Sequence, residues 1–485
     1  LMFQNNLLMA AAANASGGAA PTIVENSALF VPANGESLTR TEVAGTSTTK
    51  QFISFWFYWT DSGYDSLQFL FECDDGSSSN RDYITTQTTG KLNFISITGS
   101  SQKANLATTQ VFRDIGWYHI ELILDTTKAV ATDRQILIVN GERVTSFVTE
   151  TKFSLNDTFG ALGSVGDTFR WGAYLGSPYY YFDGYIAEIV RIDGDPAGIS
   201  TGEYDTTGLY WTPKSSTAIK ALTFGNNGFY LDNTTNAQTD ASGEGHNFTN
   251  NNTVVTTTNT PTNIEALNNS LVRGNVTFSN GNRTMVFAGG SYDTQPSTLV
   301  MPEGIGKWYC EYTNTTLASS SAYAIGDPAY PKMGTNDGGT INDNANGYSY
   351  NEGGTKVTNG SGSSYGSSWT SGDIIGIAYD AVNGSLWFSK NGTWQASATS
   401  AEITAGTTTN AAFTGITGDK IFAAVVGSTG ACTSNFAADD WNYTAPTNFV
   451  ALNTTNIAAA TSETRTASDT NKYFQTTTYE GNGAG

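Results

Sequence analysis

The chain has 485 residues, with 23 Lys+Arg against 43 Asp+Glu and a formal net charge of −20. Only 14% of its residues are charged, against roughly 25% in an average globular protein, while 39% are apolar and 12% aromatic, enough for sizeable cores. An acidic chain without a basic run repels phosphate, which excludes generic nucleic-acid binding. No apolar stretch approaches the ~20 residues that cross a bilayer as a helix; the longest, residues 53–59, has strand length, so no membrane insertion is expected. Two histidines (His119, His246) and three dispersed cysteines (Cys73, Cys310, Cys432) leave little material for a histidine base, a zinc cluster or a disulfide framework.

Residues 1–24 are Ala/Asn/Gly-rich and carry one small apolar cluster, Phe3, Leu7, Leu8 and Met9. It is too small to fold alone and is expected to anchor or oligomerise the chain. Ala13-Asn14-Ala15 loosely imitates a signal-peptidase site, but no Lys or Arg precedes it, so a cleaved leader is the lesser reading.

Residues 25–232 are strand-rich. Tyr118, Ile120, Leu122 and Leu124 alternate with His119, Glu121 and Asp125, and Gln135–Val139 ends in the hairpin pair Asn140-Gly141. Residues 233–266 are almost wholly polar and read as a connector. Residues 267–452 are strand-rich again, with Ile375, Ile377 and Tyr379 alternating before Asn383-Gly384, and Ser385–Lys390 running into Asn391-Gly392. Residues 453–485 form a Thr/Ala/Ser tail whose Tyr473-Phe474 reads as the opening of a further domain. No 15-residue window carries an apolar helical stripe. The expected fold is all-β: two antiparallel, jelly-roll-like β-sandwiches joined by a polar connector, with arms at both ends.

Candidate site residues are few. Hydrolysis of a polysaccharide with retention needs two carboxylates about 5 Å apart, which acids at alternate strand positions supply. The nearest string, Glu72-Cys73-Asp74-Asp75-Gly76, lacks the second glutamate, so no catalytic residue is assigned and no enzyme is expected. Glu72, Asp74 and Asp75 are the candidates for a Ca2+ ion, which takes about six to eight oxygens; no other cofactor is expected. Strand alternation puts Tyr179 and Tyr181 on one side and Tyr180 on the other, making the first two the candidate sugar-stacking rings. His119 alternates away from Tyr118 and Leu122 and is expected at a surface or edge.

The strings GWYHIELILD (116–125), QILIVNGERV (135–144) and YFDGYIAEIVRID (181–193) resemble, in this order, the central markers of laminin-G-like, concanavalin A-like domains. That resemblance implies the sandwich over residues 25–200 and a glycan- or surface-binding role. Gly208-Leu209-Tyr210-Trp211-Thr212-Pro213-Lys214, Asn227-Gly228-Phe229-Tyr230-Leu231-Asp232 and Asp240-Ala241-Ser242-Gly243 resemble the stretch that follows such domains in tailed-phage structural proteins. The opening FQNNLLMAAA (3–12) is similar to the start of those proteins.

Gly306-Lys307-Trp308-Tyr309-Cys310-Glu311, Ala324-Ile325-Gly326, Gly347-Tyr348-Ser349-Tyr350-Asn351, Trp369-Thr370-Ser371-Gly372-Asp373, Leu386-Trp387-Phe388 and Asn435-Phe436 look like a SPRY domain over residues 300–440. This implies a two-sheet interaction module without a catalytic centre, with Trp308, Trp369 and Trp387 in its core. Relatives often place a proline after the phenylalanine where this chain has Phe422-Ala423. Together the resemblances imply a virion surface appendage, a tail fibre, head fibre or capsid decoration. Its partners would be other virion proteins, further copies of the chain (trimers are a common design) and a host cell-surface glycan or protein. A bacterial adhesin is the alternative reading, and a depolymerase a third.

Overall fold

The computed structural model describes residues 23–462 apart from 61–66, 113–115, 175, 177–178, 206–210, 269–275, 288–292, 319–320, 329–340 and 428. Phe3, Leu7, Leu8, Met9, residues 208–210 and Tyr473-Phe474 lie outside the described residues.

Two sandwiches of antiparallel strands make up the fold. In the first, the back sheet runs edge to edge through Glu142–Arg143, Gln135–Val139, Trp117–Asp125, Lys50–Trp59, Gly184–Ile192, Ser27–Phe30 and Val255–Thr257, with Phe229–Leu231 also pairing Gly184–Ile192. The front sheet runs through Phe147–Thr151, Ser101–Thr108, Leu92–Thr98, Arg81–Thr86, Gln68–Asp74, Thr168–Trp171, Ser37–Thr41 and Thr249–Asn251. Alternation builds the core between them: Tyr118, Ile120, Leu122 and Leu124 of the back sheet meet Phe71, Ile84, Phe94, Leu106 and Trp171 of the front. The turn at Asn140-Gly141 holds both residues at positive φ, 49° and 81°, as a tight hairpin of this twist requires.

The second sandwich pairs a seven-stranded sheet (Val276–Ser279, Thr284–Phe287, Ala431–Asn435, Lys307–Thr316, Ile374–Asp380, Ser385–Lys390, Thr393–Trp394) with a six-stranded one (Asp293–Pro296, Ile421–Val426, Ala322–Gly326, Tyr348–Asn351, Thr355–Thr358, Ser361–Ser364). Trp308, Trp369 and Trp387 are buried, the first two in the core between these sheets and Trp387 in a cluster with Tyr309 and Trp394.

One expectation needs correction. Residues 233–266 do not behave as a free connector: Thr249–Asn251 pairs with Ser37–Thr41 and Val255–Thr257 with Ser27–Phe30, each closing an edge of the first sandwich. Their polar side chains fold the backbone locally. Asn236 Oδ1 accepts from the N–H groups of Gln238 and Thr239, and Asp240 accepts from those of Tyr230, Ser242 and His246. Short helices also occur where no stripe is legible. The helix Ser216–Lys220 is capped by Ser215 and Ser400–Ala405 by a Thr399/Glu402 capping box, while Thr454–Ser462 lies within the expected tail.

The two sandwiches meet directly. Ala266 packs in the second core and Leu267, the next residue, in a cluster on the outer face of the back sheet with Trp56, Tyr58, Trp117 and Tyr185. The Tyr185 hydroxyl donates to the Gly281 carbonyl at 2.9 Å, and Arg283 bridges Glu265 (3.2 Å) and Asp440 (3.1 Å).

Candidate functional site

The outer face of the front sheet carries an unbroken cross-strand row. Register places Thr249 beside Thr39, Thr39 beside Arg170, Arg170 beside Glu72, Glu72 beside Tyr83, Tyr83 beside Ile95, Ile95 beside Asn105 and Asn105 beside Thr151. Eight strands at ~4.8 Å spacing make the row about 34 Å long. Because side chains alternate across a sheet, the same strands that send Phe71, Ile84, Phe94 and Leu106 into the core send hydroxyl, guanidinium, carboxylate and amide groups outward.

Glu72 lies at the middle of this row and is fully buried. Its oxygens stand 3.7 Å from Arg170 Nη1 and 3.9 Å from Arg81 Nη1, and neither accepts a hydrogen bond. Burial pushes the carboxyl up to about 7, outweighing the pull of Arg170 and Arg81 in the other direction. Arg170 also pairs with Asp74, whose other oxygen accepts the Gly76 N–H at 2.6 Å. Asn93 and Asn105, each 9% exposed, also leave their carbonyl oxygens without a donor.

An aromatic shelf flanks the row. Register faces Tyr174 with Tyr180 in the hairpin of Ala173–Tyr174 and Tyr180–Tyr181. Phe69 lies 5.0 Å from Tyr174 and 6.0 Å from Tyr180, with ring planes within 21–23° of parallel. The Arg81 guanidinium lies 4.9 Å from the Tyr83 centroid and 5.7 Å from that of Tyr174.

The residues singled out from sequence divide as follows. Tyr179 and Tyr181 stack on each other at 6.4 Å, with Tyr179 65% exposed. Tyr180, on the opposite side of the strand, is the ring that joins the shelf. Glu72 and Asp74 face outward on one strand, while Asp75 is tied into the following turn by Asn80 and Ser77, whose hydrogen bonds hold its carboxyl below the usual range. Among the described residues no three His, Cys, Asp or Glu side chains are grouped to hold a metal ion.

His119 is not at a surface or edge. It is fully buried on the outer face of the back sheet, stacked on Trp56 at 4.7 Å and covered by Trp211. Burial lowers it to about 3. Alternation rightly turns it away from the first core, but a second layer that includes Ile199, Thr201, Trp211, Ile219, Phe224 and Leu267 covers that side of the sheet.

The signal that marks the row is the period-two pattern Arg81-x-Tyr83-x-Thr85 followed by Asn93-x-Ile95 and Asn105. A search for paired acids passes over it, because its members are mostly uncharged.

The profile of the concanavalin A-like lectin/glucanases superfamily (laminin G type) matches residues 34–193, and the SPRY domain profile matches residues 307–439. The chain therefore combines a concanavalin A-like sandwich with a SPRY sandwich. No curated protein matches the sequence. Among solved structures, domains LG4-5 of the mouse laminin alpha1 chain align at 10% identity over 86% of this chain and 89% of that one, with a TM-score of 0.31. A putative carbohydrate binding protein from Bacteroides ovatus aligns at 15% identity over 50% of this chain and 61% of that one, TM-score 0.33. The SPRY domain of human HERC1 aligns at 14% identity over 35% of this chain and 96% of that one, TM-score 0.27.

Proposed function

We propose that this chain is an attachment protein of a tailed-phage virion, a fibre or capsid appendage that holds host surface glycans or proteins through its β-sandwiches. The observation that carries the attachment reading is the front sheet: an outward cross-strand row rich in hydroxyl, guanidinium and amide groups, flanked by the stacked rings of Phe69, Tyr174 and Tyr180. Such a surface suits a hydroxylated, ring-shaped ligand. The virion assignment rests on the likeness of residues 3–12 and 208–243 to tailed-phage structural proteins.

In this reading the protein binds and does not cut. Glu72 has guanidinium groups on two sides, and the position that would supply a second acid is Gly76. Multiplicity makes shallow sites sufficient. A millimolar site is worth about −4 kcal/mol, and linked copies raise avidity by ~10² to 10⁴, as an oligomeric fibre repeated on a particle would.

The test is to raise antibody against the chain, label purified particles with gold, and ask whether the free protein blocks adsorption to host cells. Label on the particle and blocked adsorption are expected, unchanged by chelator, with host polysaccharide recovered intact. Label on the producing cell instead would assign a bacterial adhesin. Released oligosaccharides would overturn the non-enzymatic reading.

A further inference from the structure

We infer that Asn359 is the site at which the folded chain deamidates on ageing, turning an uncharged hairpin tip of the second sandwich into aspartate or isoaspartate. This stands apart from the attachment reading. Three two-residue hairpins end in Asn-Gly with nearly the same backbone: φ is 49° and 81° at Asn140-Gly141, 50° and 67° at Asn359-Gly360, and 49° and 75° at Asn391-Gly392. In each, the Asn N–H donates to a carbonyl outside the hairpin, that of His119, Asn344 or Ile374. The side chains and their cover differ. Asn140 Oδ1 accepts the His119 N–H at 2.7 Å, and a Cβ on Gly141 would lie 2.5 Å from the Trp211 ring. Asn391 Oδ1 accepts the Ile374 N–H at 2.8 Å, its Nδ2 donates to Asp373 at 2.7 Å, and a Cβ on Gly392 would lie 2.5 Å from Tyr443. Asn359 is exposed, and among the described residues no hydrogen bond reaches its side-chain amide. The nearest atom to a Cβ on Gly360 is Asp343 Oδ1, at 3.9 Å.

The reaction is intramolecular. The Gly360 backbone nitrogen attacks Asn359 Cγ and gives up its proton as the N–Cγ bond forms. The Cγ–Nδ2 bond breaks and Nδ2 leaves as ammonia. Water then opens the cyclic imide at either carbonyl, giving aspartate or a backbone rerouted through Cβ and Cγ. A left-handed residue has ψ of about +47°, which points the attacking nitrogen away from Cβ, so the turn must open before the ring can close. Opening is easiest at Asn359-Gly360, which leads into Ser361–Ser364, an edge strand exposed along its whole length. The other two tips must first give up an amide bond and an aromatic neighbour. The remaining Asn-Gly pairs of the described residues are held in other ways. Asn34, Asn227 and Asn383 spend their amides on Glu36, Val43 and Asp380. Asn280 and Asn346 do not, but Gly281 is wedged against Tyr185 and Leu29, and the Gly347 N–H is held by the Asn344 carbonyl at 3.0 Å. Isoaspartate adds a methylene to a turn of only two residues, so the pairing of Thr358 with Ser361 is expected to be lost.

The experiment ages the intact protein at mildly alkaline pH, with a parallel sample unfolded in urea, and follows each Asn-Gly site by peptide mapping. In the folded protein, conversion of amide to acid is expected at Asn359 at least about tenfold faster than at Asn140 or Asn391, because opening either of those turns breaks a further hydrogen bond and unseats a ring. In urea the three sites are expected to react at similar rates. Isoaspartate is read by methyltransferase labelling, and amide exchange at Ser361 is expected to quicken in the aged protein. Asn359→Gln, aged in the same way, should keep the Ser361 exchange at its starting rate. A folded-state rate at Asn140 or Asn391 that matches or exceeds the rate at Asn359 overturns the inference. So does an Asn359 that stays intact in the folded protein while the urea sample reacts.

Discussion

The indole N–H of Trp211 donates to Nδ1 of His119 at 2.9 Å, and that bond fixes the state of a buried imidazole. With Nδ1 accepting, the proton sits on Nε2, which lies 3.1 Å from Ser54 Oγ and 3.0 Å from Thr201 Oγ1. A Ser–His pair of this geometry invites a nucleophile–base reading. The nitrogen that would need a carboxylate to orient the ring meets an indole donor instead, so the arrangement does not activate the serine.

The same geometry makes the first sandwich acid-sensitive. In the unfolded chain His119 titrates near 6.5, and in the folded one near 3 because burial opposes the charge. Between those values the unfolded state binds the extra proton. Stability is therefore complete above about pH 6.5 and falls on acidification by up to about 1.4 kcal/mol per pH unit toward pH 3. Urea unfolding at pH 6.5 and 4.5, compared with His119→Asn, is expected to show a steeper acid loss in the wild type. Equal losses in both proteins would place the sensitivity elsewhere.

Glu188 titrates with the opposite sign. It sits at a bulge in Gly184–Ile192, at φ 52°, and accepts the Tyr230 hydroxyl at 2.5 Å. Burial raises its carboxyl to about 8, more than the Tyr230 bond lowers it, with nearby Asp232 adding to the rise. A raised carboxyl pKa means the folded state holds a proton that the unfolded state has lost. Its contribution is full below about pH 4.5 and disappears as pH rises to about 8. Glu188→Gln keeps an acceptor for Tyr230 and cannot ionise. The variant is expected to match the wild type near pH 4.5 and to exceed its stability at pH 8, by chemical denaturation at both values. Parallel curves would mean that Glu188 ionises in the folded protein as freely as in water.

These two residues show what a one-dimensional reading can and cannot reach. The strands around His119 are legible because alternation is local, and the Asn-Gly hairpins are legible because positive φ restricts composition. That His119 is sealed depends on Thr201, 82 residues away, and Trp211, 92 residues away. Nothing in the local pattern announces such cover. The polar stretch 233–266 misleads for a related reason: edge strands such as Thr249–Asn251 need only backbone pairing, so they carry little apolar signal. The front-face row is periodic in sequence, yet its chemistry emerges only when register sets Arg170, Glu72 and Tyr83 side by side.

Contact between the sandwiches turns on a glycine. Gly281 sits at φ 61° beneath the Tyr185 hydroxyl, and a Cβ there would lie 2.4 Å from that oxygen and 2.8 Å from Leu29 Cδ1. Gly281→Val is expected to separate the two units while each stays folded. Small-angle scattering would then show a larger radius of gyration and calorimetry two resolved transitions. Tyr185→Phe, which removes only the hydrogen bond, is expected to cost about 1 kcal/mol without separation. An unchanged scattering profile for Gly281→Val would show that other contacts hold the units together.

In the second sandwich one buried carboxylate holds down the segment that follows the last strand. Glu311 Oε1 accepts from the Tyr309 hydroxyl and the Tyr443 N–H, both at 2.9 Å, and Oε2 accepts from the Asn442 N–H at 2.7 Å. Trp441 then closes edge-on over Tyr309 at 4.8 Å, and Tyr309 N–H pairs with the Val450 carbonyl at 3.0 Å. Glu311→Ala leaves those donors without an acceptor, at a cost of roughly 3 kcal/mol, and the loss is expected to be local first. Hydrogen exchange should accelerate at Asn442 and Tyr443 while the amides of Ile374–Asp380, central in the seven-stranded sheet, stay protected. Glu311→Gln keeps one acceptor oxygen and should fall between. Retained protection at Asn442 in the alanine variant would mean that the aromatic packing of Trp441, not the carboxylate, pins this segment to the sheet.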